Sequence, residues 1–403
     1  MTRIRRTAVA VALAVVLPLP IVGAAPAFAT AGPAAAPAPA SVPAASVPLP
    51  ADQGVQLALP RPTGPHAVGV DTLHLVDRDR PDPWVPSAGP RQLMVSMYYP
   101  ARSGTGRPAP YMTTEEARLF LDMEQIGSAF PAQALADTRT YAFTDARPEH
   151  GRYPLVVLSP GFGLPRQTLT GLAVDLASRG YVVALVDHTY EDSGTTFPDG
   201  QTLGCALCDL SGVSDAESLR SRAQDLSFVL DQLVGSHPAW QRAQLIDHRR
   251  IGMAGHSLGG AAVVPTMAAD RRVQAGADLD GRFFVPVPAG GLGGRPVLLL
   301  GNPANHAVNG DEPSWAANWP ALDGWKRWLT LTGSTHVSFT DVPVLADEAG
   351  ITGVDGAIPS VRAAQLTRNL VAAFFDEQLK GLHQPLLDGP TAADPEVVFQ
   401  QRP

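Results

Sequence analysis

The chain has 403 residues, of which 45% are hydrophobic and 17% charged, enough apolar material for one large core or two small ones. Its formal net charge is −8. Setting aside Arg3, Arg5 and Arg6, which lie in a segment read below as removed, leaves 27 basic against 38 acidic residues, or −11. An acidic chain without basic clusters argues against nucleic acid as a partner.

The first 29 residues read as an export signal. A basic start, Met1 to Arg6, leads into an apolar run from Ala8 to Leu17, and Ala27-Phe28-Ala29 supplies a small-x-small cleavage site. Pro18, Pro20 and Pro26 cut the apolar span well below the ~20 residues of a membrane-spanning helix, so removal is expected rather than anchoring. Arg5-Arg6 lacks the rest of a twin-arginine motif, which leaves the export route open. No other segment is long and apolar enough to span a bilayer, and the mature chain is expected to be secreted and free of transmembrane segments. Residues 30–60, rich in Ala, Pro and Ser, bury too little to offset their ordering entropy and are expected to be a disordered leader.

Residues 61–386 alternate strand and helix signals. Thr72 to Val76 and Leu93 to Tyr99 read as early strands, an antiparallel edge. The fully apolar Leu155-Val156-Val157-Leu158 stops at Ser159-Pro160-Gly161 and is followed by a helix with Leu169, Leu172, Ala173, Leu176 and Ala177 on one face, ended by Gly180. Tyr181 to Val186 is the next strand. Ser214 and Glu217 form a capping box before the stripe Leu219, Ala223, Leu226, Leu230 and Leu233. Ile251 to Ala254, a helix from Ser257, Val273 to Leu279, Pro296 to Leu300 and the last strand, Trp328 to Leu331, continue the series. Pro265 should kink or shorten the helix that begins at Ser257. Leu366, Leu370, Phe374 and Leu382 lie on a long closing helix, and 387–403 reads as a loose tail.

Apolar strands alternating with amphipathic helices predict an α/β fold with a mostly parallel central sheet covered on both faces. Tyr111 to Phe143 reads as a mainly helical insertion near the cleft, as ordinary packing or as a cleft wall.

The chemistry centres on Gly255-His256-Ser257-Leu258-Gly259-Gly260. It follows an apolar strand and precedes a helix, the context in which G-x-S-x-G makes a nucleophile turn. A side chain at Gly255 or Gly259 would clash in so sharp a turn. The Ser257 hydroxyl needs a base and the base an orienting acid, in the chain order Ser, acid, His. Among the later histidines, His383 lies in a polar tail, His306 follows strand Pro296 to Leu300, and His336 follows the last strand; position favours His336. The segment Asp278-Leu279-Asp280-Gly281 ends the strand after the nucleophile helix. Asp280, at the strand's end, is read as the orienting acid and Asp278 as a locally hydrogen-bonded residue, with the reverse assignment as the rival. The tetrahedral oxyanion needs donors, for which the N–H groups of Leu258 and Phe162 are the natural pair.

In these blocks the chain resembles α/β-hydrolases of the platelet-activating-factor acetylhydrolase and lipoprotein-associated phospholipase type, related to exported bacterial lipases. The resemblance covers Leu93 to Asp341 and rests on Leu158 to Gly163, Tyr181 to His188, Gly255 to Gly260, Asp278 to Gly281 and Gly333 to Phe339. It implies a Ser257, Asp280 and His336 triad, an oxyanion hole at Phe162 and Leu258, and hydrolysis of an ester, often a short or oxidised acyl chain on a phospholipid, without metal or other cofactor. Two departures bear on substrate choice: Pro160 stands where the family commonly has His, and Arg282 where it often has an aromatic residue.

Cys205 and Cys208 are the only cysteines. A redox C-x-x-C needs a helix start in a different fold and a zinc site needs further ligands, so a small disulfide stiffening the loop His188 to Val213 is expected, bordering the cleft. Trp315, Trp319, Trp325 and Trp328 read as core groups, with an acyl pocket or lipid contact as the alternative. The expected protein is a secreted serine esterase or lipase acting on a small-molecule or lipid ester, with transient contact to a lipid interface. The alternatives are a cutinase-like polyester hydrolase and a non-catalytic cell-envelope binding protein on the same fold.

Overall fold

The alternating apolar segments assemble into an eleven-stranded sheet in the computed structural model, which describes residues 56–354 and 356–401. The export signal 1–29 and the leader up to residue 55 lie outside the described residues. The strands are β1 (Ala67–Pro81), β2 (Pro90–Ala101), β3 (Arg107–Pro108), β4 (Ala142–Thr144), β5 (Tyr153–Ser159), β6 (Val182–Val186), β7 (Thr195–Thr196), β8 (Thr202–Leu203), β9 (Ile246–His256), β10 (Ala275–Leu279), β11 (Val297–Gly301), β12 (Lys326–Leu331) and β13 (Val397–Gln401). The sheet order is β13-β12-β11-β10-β9-β5-β6-β2-β1-β4-β3, with β7 and β8 forming a separate antiparallel pair.

The six strands from β12 to β6 run parallel, flanked by β2 antiparallel to β6 on one side, with β1 antiparallel to β2 beyond it, and by β13 antiparallel to β12 on the other. The chain steps from β5 outward to β6, then returns to the opposite side of β5 with β9 and proceeds to β12. Between β5 and β9 the direction of winding reverses, and the carboxyl ends of such strands splay around a ligand crevice.

Period-2 alternation divides the core in two. On β5, Leu155 and Val157 face a cluster that includes Leu226, Leu230 and Val263, from helices Asp215–Val234 and Val263–Ala269. Val156 and Leu158 face the other cluster, with Leu172 and Leu176 of helix Thr170–Ser178 and Phe374 of helix Ser360–Lys380. The capping box before Asp215 forms: Ser214 Oγ accepts from the Glu217 N–H at 3.3 Å and the Glu217 carboxylate accepts from the Ser214 N–H at 2.9 Å. Pro265 has no N–H to offer the Ala261 carbonyl, and the helix after Ser257 divides into Leu258–Ala261 and Val263–Ala269.

Three expectations are corrected. The segment after Leu387 is not a loose tail: Leu387 is buried, and Val397–Gln401 adds an antiparallel edge strand to β12, with Val397 opposite Leu331. The leader stops short of residue 60, because Leu57 and Leu59 are buried against the insertion and exchange backbone hydrogen bonds with Arg139, both at 2.9 Å. Leu382 is not on the closing helix, which ends at Lys380; Gly381 turns left-handed at φ 68° and leaves Leu382 exposed.

The insertion is helical as expected, with helices Thr114–Met123 and Ala132–Ala136, and packs a satellite core of its own. Among the described residues no helix is long and apolar enough to cross a membrane.

Candidate active site

Ser257 occupies the turn between β9 and the short helix Leu258–Ala261, with φ 54° and ψ −121°. A non-glycine residue in this region is strained, and the surroundings must hold it there. They do so by close packing. A Cβ on Gly255 would lie 2.3 Å from the Gly259 backbone, and one on Gly259 would lie 2.1 Å from the Ser159 carbonyl. The Ser257 N–H donates to the Leu279 carbonyl at 2.9 Å, tying the turn to the end of β10.

His336 begins the short 3-10 turn His336–Phe339 after β12. Its Nε2 lies 2.8 Å from Ser257 Oγ and its Nδ1 lies 2.6 Å from Asp280 Oδ2. Asp280 follows β10 at φ 60°, and its buried carboxylate also accepts from the Asn302 N–H at 2.5 Å and from Asn302 Nδ2 at 2.7 Å. Burial pushes the Asp280 carboxyl up, but His336 and Asn302 outweigh it and hold it below the usual carboxylate range. The carboxyl edges of β9, β10 and β12 thus bring the three sequence-predicted residues into one hydrogen-bonded chain.

Asp278 sits deeper and is fully buried, with Oδ1 accepting from the Gly281 N–H at 2.8 Å. Burial, reinforced by the neighbouring Asp280 charge, raises its carboxyl well above the ordinary range. Its role is local, as expected. His306, the rival base, makes no hydrogen bond to Ser257; it is buried, stacked on Trp315 at 3.9 Å, with Nε2 3.7 Å from Asp280 Oδ1.

The loop after β5 approaches the nucleophile from the opposite side: a Cβ on Gly161 would lie 3.3 Å from Ser257 Cβ. Neither the Phe162 nor the Leu258 amide hydrogen is engaged by another group among the described residues. Both residues line a cleft of about 480 Å³ that also contains Ser257, Asp280 and His336. Its walls carry Leu207, Leu210 and Val213 from the disulfide-bearing loop, opposite Arg282 and Phe284. The Cys205–Cys208 disulfide is present. Neither the Tyr111–Phe143 insertion nor any tryptophan lines this cleft; Trp315 and Trp328 are buried core residues. Arg282 stands half-exposed, its guanidinium 4.9 Å from the Phe284 ring centre and 3.5 Å from Glu312.

Two functional neighbours escaped the sequence reading. His256 is buried and donates from Nε2 to the His336 carbonyl at 2.8 Å. Burial, with the adjacent His336, lowers its pKa to about 3, so it is a neutral strut under the His336 turn. Asn302 anchors Asp280 through both its backbone and its side chain. The only sequence signal for either was its place at a strand's carboxyl end.

The family model for platelet-activating factor acetylhydrolase, isoform II, matches residues 53–202 and 225–392. A probable 1-alkyl-2-acetylglycerophosphocholine esterase of Arthroderma benhamiae is 30% identical over 85% of this chain and 93% of its own. The platelet-activating factor acetylhydrolase of Cavia porcellus is 22% identical over 80% of this chain and 78% of its own. Among solved structures, a ferulic acid esterase from Streptomyces cinnamoneus is 45% identical with a TM-score of 0.77, covering 86% of this chain and 99% of that one. With the sheet, the strained serine turn and these relatives in agreement, the chain belongs to the platelet-activating factor acetylhydrolase, isoform II family and is a carboxylic ester hydrolase of the α/β-hydrolase fold.

Proposed function

We propose that the protein is a secreted serine esterase that cleaves lipid esters of the 1-alkyl-2-acetylglycerophosphocholine kind through an acyl-enzyme. The observation that carries this reading is the unbroken chain Ser257 Oγ–His336–Asp280 beneath two unengaged amides. Ser257 Oγ attacks the ester carbonyl while His336 Nε2 takes its proton. Asp280 holds Nδ1–H and stabilises the imidazolium, and the Phe162 and Leu258 N–H groups receive the oxyanion. His336 returns the proton to the leaving alcohol, and water repeats the sequence on the acyl group. The exposed Phe162 and Leu210 at the cleft mouth offer apolar surface to an aggregated lipid. The disulfide supports an oxidising, extracellular destination.

A second reading has its own support. The 45% identity to the ferulic acid esterase favours an ester of an aromatic acid, for which the apolar wall of Leu207, Leu210 and Val213 is equally suited. One preparation tests all of this. Protein recovered from culture medium should begin after Ala29, react with a fluorophosphonate at Ser257, and lose labelling and turnover in Ser257→Ala. Faster hydrolysis of a 2-acetyl phospholipid than of methyl ferulate or polyester film supports the lipid reading; the opposite order replaces it. An unlabelled Ser257 in folded protein overturns the esterase mechanism.

A further inference from the structure

Directly behind the loop Ser159–Gly163 lies a sealed cluster of charge. Arg91, Arg222, Asp225, Glu191 and His188 are each buried. Arg222 Nε donates to Glu191 Oε2 at 2.7 Å, and Arg91 Nη2 donates to Asp225 Oδ2 at 2.7 Å. His188 links Asp225 Oδ2, 2.9 Å from its Nδ1, to Ser159 Oγ, 2.9 Å from its Nε2. Ser159, His188 and Asp225 thus repeat the contacts of a catalytic triad, but Ser159 is fully buried and no ester can reach it. The carboxylates of Glu191 and Asp225 are fully taken by arginines, Trp84 and His188, so this cluster is no cation site either.

What the cluster does hold is the loop. Arg222 Nη1 donates to the Pro160 carbonyl at 2.5 Å. Three residues on, the Gly163 N–H donates to the Glu191 carbonyl at 2.9 Å and the Gly163 carbonyl accepts from the Ser193 N–H at 3.1 Å. The segment is pinned on both sides of Phe162, whose own N–H stays unengaged beside Ser257. A peptide fixed at Pro160 cannot rotate its carbonyl toward the cleft, where it would repel the developing oxyanion.

We infer that Arg222, seated by Glu191 in this buried cluster, is a positioning residue for the oxyanion hole: it locks the Pro160 carbonyl away from the cleft so that the Phe162 N–H faces the tetrahedral intermediate. The inference rests on the assignment of the oxyanion hole to Phe162 and Leu258. It also accounts for a proline at position 160, which stiffens the loop and has no N–H to compete for the same space. Arginine is required because one guanidinium must serve Glu191 and Pro160 together, which a lysine ammonium on a flexible stem does poorly.

The test compares wild type with Arg222→Lys and with the double variant Arg222→Met/Glu191→Gln, which leaves neither of those two charges without the other. Each is assayed on p-nitrophenyl acetate and on its thiono analogue, whose sulfur is a poor hydrogen-bond acceptor. Expected is a fall in kcat on the order of 10- to 100-fold with KM within about threefold, since only a transition-state contact is lost. The oxo-over-thiono rate ratio should shrink in the variants while fluorophosphonate still labels Ser257. A folded variant with wild-type kcat and an unchanged ratio overturns the role of Arg222, as does loss of the fold in both variants, which would make the cluster a stability element. A wild type that does not discriminate the two esters overturns instead the oxyanion assignment beneath it.

Discussion

At the residue scale, the two aspartates Asp278 and Asp280 lie two residues apart and carry opposite electrostatics. His336 and Asn302 hold the Asp280 carboxyl below the usual carboxylate range, whereas burial pushes that of Asp278 well above it. Asp280→Asn should lower kcat by about 10⁴-fold by removing the anion that orients His336. Asp278→Asn should leave turnover nearly intact and act on stability. An unfolded aspartate loses its proton near the ordinary value of 3.8, and folded Asp278 keeps its proton well above that. The folded state therefore binds the extra proton, so this group's contribution is complete below pH 3.8 and is lost as pH rises toward the raised folded value. Asparagine is neutral throughout; Asp278→Asn should raise Tm at pH 7 and not at pH 3, measured by calorimetry. An equal shift at both pH values would refute this account. The sequence disclosed the Ser257, Asp280 and His336 constellation because each residue sits at a strand's carboxyl end in a fixed chain order. It did not disclose His256 or Asn302, because each acts through a loop carbonyl or amide that only the assembled sheet brings near.

At the element scale, the cleft wall from Leu207 to Val213 belongs to a loop stapled by Cys205–Cys208. Closing so short a loop removes little denatured-state entropy, about 2 kcal/mol at most. The Cys205→Ser/Cys208→Ser double variant should therefore lose only a few degrees in Tm. The wall residues it frees should raise KM on the order of threefold or more with kcat little changed. A large Tm loss with unchanged KM would assign the disulfide to the fold instead. Central strands and capped helices were legible from period and capping residues, as at Leu155–Leu158 and at Ser214 with Glu217. Element ends were less so: Leu382 fits the helical stripe, and only the left-handed turn at Gly381 excludes it.

At the scale of the whole molecule, an antiparallel strand flanks the parallel centre on each side, β2 beside β6 and β13 beside β12. β13 was illegible because a five-residue strand after a proline- and aspartate-rich stretch carries too short a pattern to separate from a tail. A chain ending at Pro395 should lose about 2 kcal/mol or more, from burial of Val397 and the lost ladder, and should aggregate through the bared edge of β12. Thermal denaturation with light scattering measures both; an unchanged Tm would make the strand dispensable. The buried cluster of Arg91, Arg222, Asp225, Glu191 and His188 sets two arginines against two carboxylates. Its charges are mutually neutralising, so single replacements strand a partner and only concerted exchanges are tolerated. The apolar wall residues Leu207, Leu210 and Val213 have no charge to strand. The cleft can therefore be reshaped residue by residue along Leu207, Leu210 and Val213, while the platform behind the Ser159–Gly163 loop is inherited as a block.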